Sequence, residues 1–158
     1  MQEVWRAAPG YEGTYEVSDH GRVRSSPRSG TRGGVLKATD GVAGRYLRVS
    51  LYREGRREYA FIHRLVMAAF VGPKPAGLVT RHLDGDARNN RLDNLAYGTP
   101  RENSDDMRRH GTNVNANKIV CKNGHSYLDP ANVQIRRGGG RVCRACQRDW
   151  ARARKAAA

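Results

Sequence analysis

Residues 81–103, RHLDGDARNNRLDNLAYGTPREN, leave this chain little choice of local fold. Val79 to His82 suits a short strand, Asp84 to Asn90 is dense in turn formers, and Leu95 to Tyr97 can return as a second strand. A helix has to follow at once. Thr99 with Glu102 three residues later makes a capping box, Pro100 takes the first helical position, where its missing N–H is harmless, and Gly111 closes the helix. The unit therefore reads strand, loop, strand, helix. It sets His82 at the end of the first strand, Asn94 at the base of the second and Asn103 early in the helix, where a poor helix former needs another reason to be.

What precedes this unit alternates like β structure. From Val4 to Ser25, Tyr15 and Val17 lead into the turn Asp19-His20-Gly21, and Val23 returns with Arg22 and Arg24 on the opposite face. Ser26 to Gly34, SPRSGTRGG, reads as a flexible linker able to lie along a phosphate backbone. From Arg45, Leu47, Val49 and Leu51 alternate with Tyr46, Arg48, Ser50 and Tyr52, and Glu54-Gly55 turns the chain towards Arg57 to Ile62. Tyr46, Arg48 and Tyr52 would share the polar face and meet sugar and phosphate there. His63 to Phe70 changes to a helical period with Leu65, Val66, Ala69 and Phe70 inward, and Gly72-Pro73 stops it. Pro73-Lys74-Pro75 is a stiff connector.

Behind the central unit, Asn113 to Lys118 is a polar bridge to something different. Cys121 and His125, in CKNGH, are followed after 17 residues by CRAC, with Cys143 and Cys146. Four such ligands close a tetrahedral structural Zn²⁺ site, and they use all three cysteines. The loop Arg136 to Arg141 would be a hairpin tip, and a helix from about Cys146 would carry Arg148 and Arg152 on one side and Trp150 against the knuckle.

Charge decides the class of partner. Lys and Arg number 29 against 15 Asp and Glu, with a pI near 10.5, a field best matched by a polyanion and first of all by double-stranded DNA. No run of about 18 apolar residues exists, so no membrane partner is expected. No apolar stretch follows the initial Met-Gln-Glu and the thiols are odd in number, which suits a reducing cytoplasm.

The order His82, Asn94, Asn103 in a ββα unit resembles the HNH nuclease motif, particularly that of phage and intron-encoded homing endonucleases. Trp5, Gly10 to Gly13 (GYEG), Tyr15 to Ser18 (YEVS) and Gly21 to Ser25 (GRVRS) resemble the NUMOD-type DNA-binding motif found ahead of such domains, and HRLV from His63 resembles the segment that precedes this HNH subtype. Cysteine tails similar to this one occur in phage HNH proteins. The resemblance implies His82 as the general base that activates water, Asn94 as the residue that holds the loop and orients His82, and Asn103 as a carbonyl ligand to a catalytic Mg²⁺ or Mn²⁺. Several such enzymes carry a metal-binding Asp or His just before the base, where this chain has Arg81. Either Arg81 holds the phosphate while Asp84, waters and substrate oxygens complete the coordination, or the site binds metal weakly.

The expected architecture is α+β: a NUMOD-like β-rich module over 1–56, a ββα-metal nuclease core over 57–112 and a zinc knuckle with a basic tail over 113–158. The expected function is metal-dependent DNA hydrolysis, with Arg22, Arg24, Arg48, Arg81, Arg137 and Arg148 on the nucleic acid. The competing classes are a DNA-binding protein without catalysis and an RNA-binding protein. The choice between monomer and dimer stays open.

Overall fold

A computed structural model describes residues 2–41 and 44–157, which form two compact units, Met1–His110 and Gly111–Ala158. In the first unit, β1 (Trp5–Ala7), β2 (Tyr15–Ser18), β3 (Val23–Ser25) and β4 (Gly34–Val35) make an antiparallel sheet in chain order. The β2–β3 pairing sets Tyr15 opposite Ser25 and Val17 opposite Val23, so one face is apolar, as the alternation requires. A second sheet joins β5 (Thr39–Asp40), β6 (Leu47–Arg53) and β7 (Arg56–Phe61). Its turn falls at Glu54 and Gly55, with φ of 51° and 75°, the pair of left-handed residues that a tight hairpin needs.

The expected flexible linker is instead a built turn. Arg28 and Thr31 exchange backbone hydrogen bonds of 3.1 and 2.9 Å, and Gly33 packs so tightly that a Cβ there would come 2.7 Å from Ser25 O. Small polar residues and glycine supply turn geometry as readily as slack, and here they fold the chain back into β4.

Helix α1 (Ile62–Phe70) lies at the centre of the unit and buries Ile62, Leu65, Val66 and Met67. Against them pack Ala8, Tyr15, Val17 and Val23 from the first sheet, Val49 and Leu51 from β6, and Leu95. Each fully buried aliphatic side chain is worth about 1.5–3 kcal/mol, so this shared cluster dominates the stability of the unit. The Tyr15 hydroxyl ties the sheets together, accepting from Tyr52 N at 3.1 Å and from Arg28 Nη2 at 3.2 Å. Beyond α1, β8 (Val79–His82) pairs with β9 (Leu95–Gly98), and α2 (Pro100–Arg109) follows with the Thr99–Glu102 capping box formed in both directions.

In the second unit, β10 (Val133–Ile135) and β11 (Arg141–Cys143) make a hairpin, followed by α3 (Arg144–Ala156). The helix starts two residues before the expected place because Cys143 caps it, its Sγ accepting from Cys146 N. Among the described residues no helix is long and apolar enough to cross a membrane.

Candidate active site and metal centre

The loop between β8 and β9 is built by its own polar side chains. Asn94 Oδ1 accepts from Asp84 N at 2.9 Å, and its Nδ2 donates to Asp84 Oδ1 and to Asn89 O, each at 2.9 Å. Asp84 accepts further from Asn89 Nδ2 at 2.7 Å and Asp86 N at 2.8 Å. Burial acts to raise the Asp84 carboxyl, but the donors Asn89, Asp86 N and Asn94 hold it below its ordinary value. Asn94 thus clasps the loop, and it spends both amide functions there rather than on His82, which it was also expected to orient. Both oxygens of Asp84 serve the same purpose. His110, at the end of α2, pins the loop from outside through Nε2 and Leu83 O at 2.8 Å.

His82 closes β8, 9% exposed, with its ring 5.3 Å from that of His63 and 6.0 Å from that of Tyr46. Tyr46 precedes the first residue of β6 and turns in to these histidines, so it does not share an outer polar face with Arg48 and Tyr52. His63, Tyr46, Thr80 and Asn103 line one cleft of about 600 Å³, with Arg64 and Lys74 at its wall. Asn103 Nδ2 lies 3.9 Å from Met107 Sδ, which leaves Oδ1 as its amide atom for the cleft. Asn103 therefore lines this cleft, whereas His82 is not among its lining residues and meets it through the ring of His63.

Both histidines are held neutral. Burial pushes His82 below its ordinary value, opposed by Asn90, Asp84 and Asp86, and burial with the neighbouring His82 and Arg64 pushes His63 down to about 3. The unfolded chain binds more protons than the folded one between that value and 6.5, so stability rises with pH across this window. Acidification from pH 7 to pH 5 is expected to remove about 2 kcal/mol through His63 alone. Urea melts of wild type and His63→Leu at the two pH values check this: the loss on acidification should be smaller in the variant by that amount.

Arg81 is committed to protein carboxylates. Its guanidinium meets Asp106 at 2.7 Å and Glu102 at 3.4 Å, and Asp106, 4% exposed, takes a second bond from Arg109 at 2.9 Å. Gly98 makes room for it, since a Cβ there would lie 2.4 Å from Arg81 Cδ. The hydrogen bond from Arg81 holds Asp106 below the usual carboxylate range. Arg81→Ala would leave the buried Asp106 carboxylate with Arg109 as its partner and is expected to cost about 2–3 kcal/mol of stability by denaturant melting. Arg81→Asp should cost more, because it adds a third carboxylate to Asp106 and Glu102.

The other arginines expected on nucleic acid differ in their freedom. Arg22 is paired with Glu3, and Arg24 with Glu16 at 2.6 Å, both over the Trp5 ring. Arg48 lies over Tyr59 at 4.1 Å. Arg137 is exposed between β10 and β11, and Arg148 is bonded to Asn132 Oδ1 at 3.1 Å. Exposed ion pairs are worth about 0–1 kcal/mol, weak enough for a phosphate to displace the carboxylate.

In the second unit, Cys121 Sγ, His125 Nδ1, Cys143 Sγ and Cys146 Sγ lie within 4.8 Å of one another. Four of the six separations run from 3.3 Å (His125 Nδ1 to Cys146 Sγ) to 3.6 Å (Cys121 Sγ to Cys146 Sγ). Metal–ligand bonds of about 2.0–2.3 Å at tetrahedral angles produce ligand spacings of this size. His125 Nε2 faces Asp149 Oδ2 at 3.3 Å, an orienting carboxylate on the imidazole's far side that the sequence did not reveal. Trp150 borders a cleft shared with the three cysteines but stays 63% exposed, so it does not pack down as expected.

Comparison with known proteins agrees with this geometry. Residues 60–105 match the HNH endonuclease model designated HNH_3, and residues 3–52 match the NUMOD4 motif. The chain is 34% identical over 119 residues, 75% of its length, to DNA endonuclease I-HmuI of Bacillus phage SP01. It is 38% identical over 52 residues, 33% of its length and 30% of the relative's, to the SPbeta prophage-derived protein YosQ of Bacillus subtilis strain 168, whose name places it among HNH homing endonucleases. A solved structure of I-HmuI, described as showing DNA binding and cleavage, superposes with a TM-score of 0.59 at 36% identity, covering 69% of this chain and 60% of that one. The chain spans 66% of the length of the curated I-HmuI sequence. The chain thus carries a NUMOD4 motif followed by an HNH endonuclease domain, joined in a fold like that of I-HmuI.

Proposed function

We propose that the chain is a metal-dependent endonuclease that hydrolyses phosphodiester bonds of double-stranded DNA. The observation that carries this reading is a buried His82 whose ring packs on His63, at a cleft that holds His63 and Asn103 and is walled by Arg64 and Lys74. His82, uncharged at neutral pH, takes the proton from the attacking water. Arg64 and Lys74 hold the phosphate, and Asn103 Oδ1 is a ligand for Mg²⁺ or Mn²⁺. A hard cation suits that oxygen and, when bound, would neutralise charge on the phosphate and the leaving oxygen. Because Asp84 and Arg81 are engaged elsewhere, the remaining ligands are waters and substrate oxygens, which makes metal affinity depend on bound DNA.

Arg22, Arg24, Arg48, Arg137 and Arg148 are the proposed phosphate contacts outside the cleft. The proposed functional modules are 1–56, 57–112 and 113–158, the last organised by Zn²⁺ on Cys121, His125, Cys143 and Cys146. One observation favours a DNA-binding protein without catalysis: none of the residues lining the cleft is a carboxylate. Supercoiled plasmid at low salt, with Mg²⁺, Mn²⁺ or a chelator, separates the two. Nicked or linear product that requires the divalent ion is expected. Tight duplex binding with no product under any ion would overturn the enzyme reading.

A further inference from the structure

Asn94 has no amide function left for His82, but the amide of Asn90 also acts on the ring. Asn90 is 4% exposed, and its Nδ2 donates to Arg88 O at 2.9 Å, which leaves Oδ1 as the atom it can offer. Asn90 Oδ1 and His82 Nε2 are both fully buried, and neither has a hydrogen-bond partner among the described residues. The Asn90 side chain acts on the ring in the direction that favours its protonated form, yet the two make no hydrogen bond in this structure. A buried polar atom left unpaired costs about 1–3 kcal/mol, and a small rotation that brings these two together satisfies both at once.

We propose that Asn90 is a positioning residue for His82: its Oδ1 accepts from Nε2–H, which keeps the ring proton on Nε2 and leaves the Nδ1 lone pair free to receive a proton from water. The N-terminal motif braces this arrangement. Gly21, at the turn of the β2–β3 hairpin, has φ of +77°, and a Cβ there would lie 2.7 Å from Asn90 O and 2.8 Å from Asn90 Cβ. Leu92 N donates to Asp19 O in the same turn at 2.8 Å. The hairpin turn of the NUMOD4 motif thus packs directly on the segment that carries Asn90, so the two family motifs are joined at the orienting residue. The remaining polar groups about the ring are His63, Tyr46, Arg45, Asp84 and Asp86.

The consequence for rate rests on the nuclease reading, but the proton's position does not, so the two can fail separately. The test is nitrogen-15 NMR of the histidine rings in full-length, zinc-loaded wild type, Asn90→Leu, Asn90→Asp and Gly21→Ala, with single-turnover plasmid cleavage alongside. Wild type and Asn90→Asp, which keeps an acceptor, should hold the Nε2–H form of His82. Asn90→Leu should show a mixture of tautomers and cleave about 10–100-fold more slowly at saturating DNA, with the half-saturating DNA concentration within about twofold of wild type. Gly21→Ala, which presses on Asn90 without touching the ring, should move the tautomer in the same direction, and it serves if Asn90→Leu does not fold. An unchanged tautomer in a folded Asn90→Leu or Gly21→Ala protein would overturn the proposal. So would a loss of rate matched by an equal loss of affinity. A shifted tautomer in a protein that never cleaves would leave the positioning role standing and remove the nuclease.

Discussion

Replacement of Cys143 by Ser is expected to unfold residues 111–158 while residues 2–110 keep their structure. Only Cys143 and Ala145 are buried apolar residues among the described part of the second unit, and its two strands have three residues each. Such a segment has almost no core to offset the entropy of ordering its chain. Structural Zn²⁺ contributes about 10–16 kcal/mol of apparent binding free energy in small knuckles, and here nearly all of the folding free energy would come from it. Amide NMR spectra should therefore lose dispersion for this unit alone, and a chelator should reproduce the loss in wild type. Metal analysis should find one zinc per chain. Asp149→Asn, which removes the carboxylate behind His125, should weaken zinc binding about 10–100-fold without unfolding the loaded protein. A well-dispersed, zinc-free Cys143→Ser unit would sink the metal-centred account.

His82→Ala is expected to lower single-turnover nicking of plasmid by about 10³-fold, the scale of removing a positioned general base. Duplex affinity should stay within about twofold, because the ring is buried beside the cleft and adds no charge at neutral pH. Truncation of this ring leaves a cavity against His63 and Tyr46, so the melting temperature has to be compared at the same time. A variant that binds, melts like wild type and still cuts at the parent rate would remove His82 from the chemistry and direct attention to His63.

Local chemistry was legible in the residues and long-range pairing was not. The capping box at Thr99 and Glu102, the turn at Glu54-Gly55 and the CxxxH and CxxC ligands each lie within a few residues of their partners, and each formed as its residues required. The same holds for Asn94 and its loop, since every side-chain bond it makes lies within ten residues. His63 gave a weaker signal, because its contact with His82 depends on how α1 lies against β8. Asn90 was indistinguishable from Asn89 as a turn former. Only the side chain's burial beneath the Gly21 turn separates them. Arg22 and Arg24 looked like free cations on a strand face, whereas Glu16 comes to Arg24 through strand pairing and Glu3 reaches Arg22 from the segment ahead of β1.

Two motifs that read as separate paragraphs of sequence draw on one interior. Ala8, Tyr15, Val17 and Val23 precede residue 57, and with Val49 and Leu51 they close over the helix that begins at Ile62. A gene fragment encoding the HNH segment alone would therefore yield a chain with half of its interior missing. Exchange of these motifs between relatives can succeed only where the incoming hairpin presents matching volumes to α1 and a glycine at the turn. The smallest piece of this chain able to close its own interior is then the pair, and the outer faces of both motifs are the ones free of that packing constraint.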